Sequence, residues 1–133
     1  MAFLLDTNAW IAYLKSATSS IRARLESLTP TDVVLCSVVK AELLHGAQKY
    51  GDRPRRLAIL AETFAPYASL PFDDAAAVAY ATIRHELEIA GEVIGPNDLM
   101  IAAIAQANNL TLVTHNAAEF GRIASLKIAL EIP

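Results

Sequence analysis

The sequence predicts an α/β fold: a layered sandwich with a mostly parallel central sheet of four to five strands flanked by helices. Two observations carry this. Short apolar runs, AFLL (2–5), VVLC (33–36) and TLVT (111–114), alternate with longer segments of helical periodicity. The connections between these runs are long enough for crossover helices, which parallel strands require. No internal repeat, low-complexity tract or linker divides the 133 residues, which suit one domain, 1–133.

The elements follow in order. AFLL is a short buried strand, and residues 8–15 form the first helix. TSSIRARLESL is a second helix, with Ser19 or Ser20 near its N-cap. VVLC is rich in β-branched residues and reads as a buried strand, after which Ser37 caps a helix running through AELLHGAQKY. GDRP ends that helix, and Pro54 suits the first turn of the next, over 54–65. ASLPF (68–72) is a weak strand whose Pro71 places it at an edge or a strand end. Ala76, Ala79, Ile83, Leu87 and Ala90 recur at three or four, which predicts a long helix with Asp73 or Asp74 as cap and Gly91 as stop. After the loop GEVIGPN, NDLMIAAIAQANN is apolar nearly all round, so its helix is buried. TLVT is a strand, AAEFGRI a short helix, and KIALEI (127–132) a last strand.

Composition narrows the function. Hydrophobic residues make up 54% of the chain and charged residues 19%, enough for a core and for a subunit contact besides. No run approaches the roughly 20 apolar residues that span a bilayer. The first residues lack a basic stretch and meet an acid at Asp6, against a signal peptide. The single cysteine, Cys36, excludes an internal disulfide and reads as a small packed side chain. These features predict a cytoplasmic protein. A net charge of −3 excludes binding of nucleic acid through overall positive charge. Contact with RNA then requires a local patch, or metal ions offsetting acids.

In an open parallel sheet, ligands gather outside the carboxyl ends of the strands. Several polar residues fall there. Asp6 closes AFLLD, Ser37 follows VVLC with Glu42 in the helix behind it, and Thr114 and Asn116 close TLVTHN. Asp98 opens the helix that precedes that strand. Acids brought together repel one another unless a cation lies between them, and a hard divalent ion with oxygen ligands suits carboxylates. Taken singly, the acids have plainer readings. Asp6 can N-cap the first helix, Asn97 or Asp98 can cap the helix through LMIAAIAQA, and Glu42 can lie on a solvated face. Spacing alone leaves both readings open.

Three segments in order, LLDTNAWIAYL, SVVKAELLHGA and GPNDLMIAAIAQANNLTLVTHNAAEFGRI, resemble the PIN-domain ribonucleases, specifically the VapC toxins of bacterial toxin–antitoxin pairs. The likeness covers nearly the whole chain. It implies a PIN-like three-layer sandwich and a metal-dependent endoribonuclease whose acidic pocket binds Mg²⁺ or Mn²⁺. Carried over by position, the acids are Asp6, Glu42 and Asp98, with Asn116 where family members commonly place a fourth acid. Asn116 can offer an amide oxygen or bridge through water. Thr7, Asn8 and Thr114 match positions expected to orient the acids or contact phosphate. Glu119 is a nearby substitute for that fourth acid, but its position in AEF looks more like the family's structural acid, a cap or salt-bridge partner.

The same resemblance implies products with 5′-phosphate and 3′-hydroxyl ends, a transfer RNA or ribosomal RNA substrate, a VapB-type antitoxin and a homodimer. The helices around 8–28 and 38–60 are the expected antitoxin surface. No pair of histidines suits a metal-free ribonuclease: His45, His85 and His115 read as surface or helix-terminal residues. The clusters Arg53, Arg55, Arg56 and Arg22, Arg24 read as solvated surface, with RNA or antitoxin contact as the other possibility. Trp10 and Tyr13 read as packing residues before base-stacking ones. The alternative function is a non-catalytic PIN-like module that binds RNA or protein. A phosphate-accepting signalling domain is disfavoured, because DTNAW lacks adjacent acids and THNAAEF lacks a lysine.

Overall fold

In the computed structural model, which describes residues 2–132, the apolar runs form the middle of one sheet. The strands are β1 (Phe3–Leu5), β2 (Val33–Cys36), β3 (Ala68–Leu70), β4 (Thr111–Val113) and β5 (Ile128–Ala129). Their spatial order is β3-β2-β1-β4-β5, and every neighbouring pair is parallel. Leu4, Leu5, Leu35 and Leu112 are wholly buried, as central parallel strands covered on both faces require. The weak ASLPF run is β3, an edge strand ending just before Pro71. Only two residues of KIALEI pair, because β5 meets a three-residue neighbour and has no strand beyond it.

Among the described residues seven α-helices connect and cover the sheet: α1 (Thr7–Lys15), α2 (Ser20–Glu26), α3 (Ser37–Lys49), α4 (Arg53–Phe64), α5 (Asp74–Ala90), α6 (Pro96–Ala107) and α7 (Ala117–Phe120). Their ends follow local chemistry. Ser19 accepts from the Arg22 N–H at the start of α2, and Asp73 accepts from the Ala76 N–H at the start of α5. Gly91 ends α5 in the left-handed region, with φ of 69°. Pro54 lies in the first turn of α4, as expected. Two caps differ from the sequence reading. The N-cap of α3 is Cys36, not Ser37, since the strand stays extended through Cys36 and the helix turns directly from it without a side-chain cap. The N-cap of α6 is Gly95, so Asp98 lies in the first turn rather than at the cap.

Alpha helix six is buried along most of its length through Leu99, Ile101, Ala102, Ala103, Ile104 and Ala105, and it packs along α5. Its small side chains let the two helices approach closely while Ile83 and Leu87 fill the contact. Trp10 is fully buried, with edge-on ring contacts to Tyr13 and Tyr67, so it is a core residue. Cys36 is buried, and burial pushes its thiol above the ordinary range, which keeps it protonated. Among the described residues no helix is long and apolar enough to cross a membrane.

Candidate active site

The site begins with strand register. Leu5 pairs with Val113, so the next residue of each strand, Asp6 and Thr114, emerges level at the carboxyl edge. The Asp6 N–H continues the ladder by donating to the Val113 carbonyl at 3.1 Å. The two side chains then meet: the Thr114 hydroxyl donates to Asp6 Oδ2 at 2.6 Å. Both residues are buried. Asp6 Oδ1 accepts from the Ala9 N–H at 2.9 Å, so Asp6 also caps α1. Capping and a place in the acid cluster therefore coexist in one carboxylate.

Thr114 Oγ1 is shared further. It accepts from the Asn116 N–H at 2.9 Å while donating to Asp6. This fixes the hydroxyl proton toward the carboxylate and ties the start of α7 to β1. Thr7 performs a parallel task on the other side. Its hydroxyl donates to Glu42 Oε1 at 2.6 Å, and the Asn97 amide donates to Glu42 Oε2 at 3.4 Å. Glu42 lies in the second turn of α3 and is half-buried, so it faces the site rather than open solvent. Asn97 is the neighbour of Asp98, which links α3 to the first turn of α6.

Asp98 senses the convergence. Burial pushes its carboxyl up to about 6, and the negative charges of Glu42, Glu119 and Asp6 push the same way. A hydrogen bond with Glu119 adds to the rise. Glu119 Oε2 also accepts from the Asn116 amide at 3.3 Å. Glu119 is thus a fourth acid of the cluster and not a salt-bridge partner: among the described residues no cation pairs with it. Its signal in the sequence was its place three residues after Asn116, on the one-turn helix α7. That turn brings residue 119 back toward the edge that residue 116 leaves.

Of the two roles expected of Asn8, contact with phosphate is the one its position leaves open. The residue is exposed, and its side chain makes no hydrogen bond to an acid among the described residues. The helix starts at Thr7, so Asn8 is turned about 100° from the residue that reaches Glu42. Of the basic clusters, Arg22 is taken up by the Tyr13 and Ser16 carbonyls, and Arg24 by the Ile132 carbonyl and Glu131. The three histidines are exposed. A groove of about 600 Å³ runs between α1, α3 and α4, walled by Leu14, Leu43, Tyr50 and Leu60 and bordered by Glu42 and Arg56.

A domain of this topology, with acids from β1, α3 and α6 at one sheet edge, matches the PIN domain model over residues 3–126. The chain belongs to the PIN-domain family. Among its relatives are the tRNA(fMet)-specific endonuclease VapC of Shigella flexneri, 36% identical over 96% of both chains, and ribonuclease VapC2 of Rickettsia felis, 35% identical over 95% of both. Solved structures agree in shape. The DNA-bound VapBC of Salmonella typhimurium superposes with a TM-score of 0.91 and 35% identity, covering 97% of each chain. VapBC2 of Rickettsia felis, bound to a promoter DNA fragment, gives 0.89 and 33% identity, covering 97% of this chain and 98% of that one.

PIN nucleases are generally dependent on divalent metal, and the donor set fits such an ion. It is made of hard carboxylate oxygens, no cation among the described residues pairs with it, and burial together with the neighbouring negative charges holds Asp98 back from ionising. Among the described residues the acids do not stand as a finished ligand cage. Asp6 and Glu42 instead spend oxygens on Thr114, Ala9, Thr7 and Asn97.

Two outcomes follow from this geometry. The folded carboxyl of Asp98 titrates above an unfolded aspartate, so its ionisation opposes folding. That destabilisation is absent below about pH 4, grows toward about pH 6 and is complete above it. In chelator, Asp98→Asn therefore raises the melting temperature at about pH 8 and has little effect at about pH 4; thermal melts at both pH values check the difference. Replacing the Thr114 hydroxyl by a methyl, Thr114→Val, leaves the Asn116 N–H unpaired and Asp6 short of a donor. It lowers stability by about 1–3 kcal/mol and weakens Mn²⁺ binding by about tenfold or more. Thr114→Ser restores the affinity in the same calorimetric titration.

Proposed function

We propose that this chain is a divalent-metal-dependent endoribonuclease, the toxin of a toxin–antitoxin pair, acting at the edge built by Asp6, Glu42 and Asp98. The observation that carries the reading is the meeting of carboxylates from β1, α3, α6 and α7 with no cation of the chain among them. Structural acids are paired or solvated. Acids gathered at a strand edge without a counter-charge are arranged for a cation from solution.

Asp6, Glu42 and Asp98 would hold the ion, Mg²⁺ or Mn²⁺, with Glu119 behind Asp98. When bound, such an ion lowers the pKa of water and offsets charge that develops on a phosphodiester. The rest falls to the chain's own residues. Thr114 and the first turn of α1 hold the Asp6 carboxylate in place from both oxygens. Thr7 and Asn97 do the same for Glu42. Asn116 anchors Glu119, and its amide oxygen stays available where relatives use a fourth acid. Water adds at phosphorus, leaving a 5′-phosphate and a 3′-hydroxyl, so the 2′-hydroxyl takes no part as nucleophile. The substrate is structured RNA, transfer RNA or ribosomal RNA, in the cytoplasm. Support for transfer RNA comes from the relative named for tRNA(fMet).

The partner is a VapB-type antitoxin, as in the VapBC complexes that superpose on this chain. The groove between α1, α3 and α4 is the surface we assign to it. Its walls are apolar, and Glu42 lies on its border, so a basic side chain of the antitoxin can reach the acids there. Self-association belongs to the same proposal. Val78 and Ile89, 70% and 74% exposed, lie on one face of α5 about three turns apart and are the apolar contacts we assign to it.

The test is cleavage by purified, antitoxin-free protein of total bacterial RNA in Mg²⁺ or Mn²⁺, with new 5′ ends mapped by sequencing. Discrete cuts that disappear with chelator, and fall by about a hundredfold or more in Asp98→Asn, are expected. Folded, metal-binding protein that makes no cuts contradicts the nuclease reading and leaves the non-catalytic binding module in its place.

A further inference from the structure

Beside the acid edge, on the α1 and α2 side of the sheet, lies a second concavity of about 130 Å³. Ala12 of α1, Ser20 and Ile21 of α2, and His115 line it, together with Asn8 and Thr114. Two of these residues tie it to the acids. Thr114 is the residue whose hydroxyl holds Asp6, and Asn8 is in the same first turn that Asp6 caps. The cavity therefore begins where the acid cluster ends.

Its chemistry differs from that of the acid edge. The surface is mostly apolar. Arg24 and Glu131 also line it, but they pair with each other at 2.9 Å, and the guanidinium donates to the Ile132 carbonyl at 2.7 Å as well. No cation is left free to take a phosphate. By contrast, the Ser20 hydroxyl, the Asn8 amide and the His115 ring make no hydrogen bond within the described residues. Polar side chains free to bond, over an apolar floor, suit a flat heteroaromatic group. Size agrees: cavities of about 150 Å³ hold a single benzene ring.

The reaction supplies the need for such a group. A carboxylate cluster engages a phosphodiester that is the same at every nucleotide, so it cannot choose a position. Choice in single-stranded RNA comes from bases splayed out of the stack into pockets, where rings stack and base edges form hydrogen bonds. We propose that this cavity receives one nucleobase next to the scissile phosphate and so selects the bond that is cut. The proposal rests on the nuclease reading above and adds the element that reads sequence.

Ala12 is exposed on α1, and Ser20 is exposed on α2 and makes no internal bond, so Ala12→Leu and Ser20→Leu each fill the cavity from outside the core. The experiment uses short RNAs spanning a mapped cut, each with one abasic nucleotide flanking the cleaved bond. In the parent protein, removing one particular base lowers kcat/KM by about tenfold or more. In the filled variants, confirmed folded by thermal melt, the same removal changes kcat/KM less than about twofold, because the base no longer has a seat. Either variant suffices if the other fails to fold. A base-removal penalty that persists undiminished in a filled variant overturns the proposal, as does a parent protein indifferent to every flanking base. Failure of the nuclease reading looks different: the parent then cuts no RNA, intact or abasic, and matches Asp98→Asn.

Discussion

Mutual repulsion among four carboxylates is the constraint on which the rest of this structure turns. Asp6 follows β1, Glu42 lies on α3, Asp98 on α6 and Glu119 on α7, and they meet at one edge of the sheet, where burial and then the neighbouring charges push Asp98 up to about 6. A chain under no functional demand relieves such a cluster with a lysine or an arginine. Here no ion pair among the described residues involves these acids: Arg24 pairs with Glu131, Arg55 with Asp52 and Arg84 with Glu88. The acids are left to a cation from solution.

What holds them against their repulsion is a rigid backbone with a few short hydrogen bonds. The Leu5–Val113 register sets Asp6 beside Thr114 before any side chain chooses a rotamer. One threonine hydroxyl then locks each of two acids at 2.6 Å, Thr114 on Asp6 and Thr7 on Glu42. The wholly buried β1 and β4 leucines and the buried α6 supply stiffness beneath. Around this edge lie two concavities of different character. The wide apolar groove of α1, α3 and α4 touches Glu42, and the small cavity of α1 and α2 touches Thr114. A protein partner and a nucleobase thus approach the same acids from different sides.

Much of this was legible in the sequence, and the physical reasons divide cleanly. Strand runs followed at once by polar residues announced Asp6 and Thr114, and helix periodicity announced the buried α6. Motif resemblance carried Glu42 and Asp98 to one site across separations that no local rule spans. Register was not legible, because nothing in FLL or TLV states that Leu5 faces Val113. The family motif carries Asn8 together with Thr7, whereas a helix start rotates the two apart. Glu119 fits both a substitute acid and, by its place in AEF, the family's structural acid, and a four-residue helix leaves too little periodicity to decide between them. The Ser37 cap was a sound composition rule overridden by a strand that runs straight into its helix.

The most direct measurement is the melting temperature of the intact protein at about pH 8 in Mn²⁺, compared with chelator and with NaCl of equal ionic strength. A cluster held together against its own charge is stabilised by an ion that binds only the folded chain. Mn²⁺ should therefore raise the melting temperature well above both controls. An unchanged melting temperature at saturating Mn²⁺ would contradict the account, because the four carboxylates would then have no need of a cation.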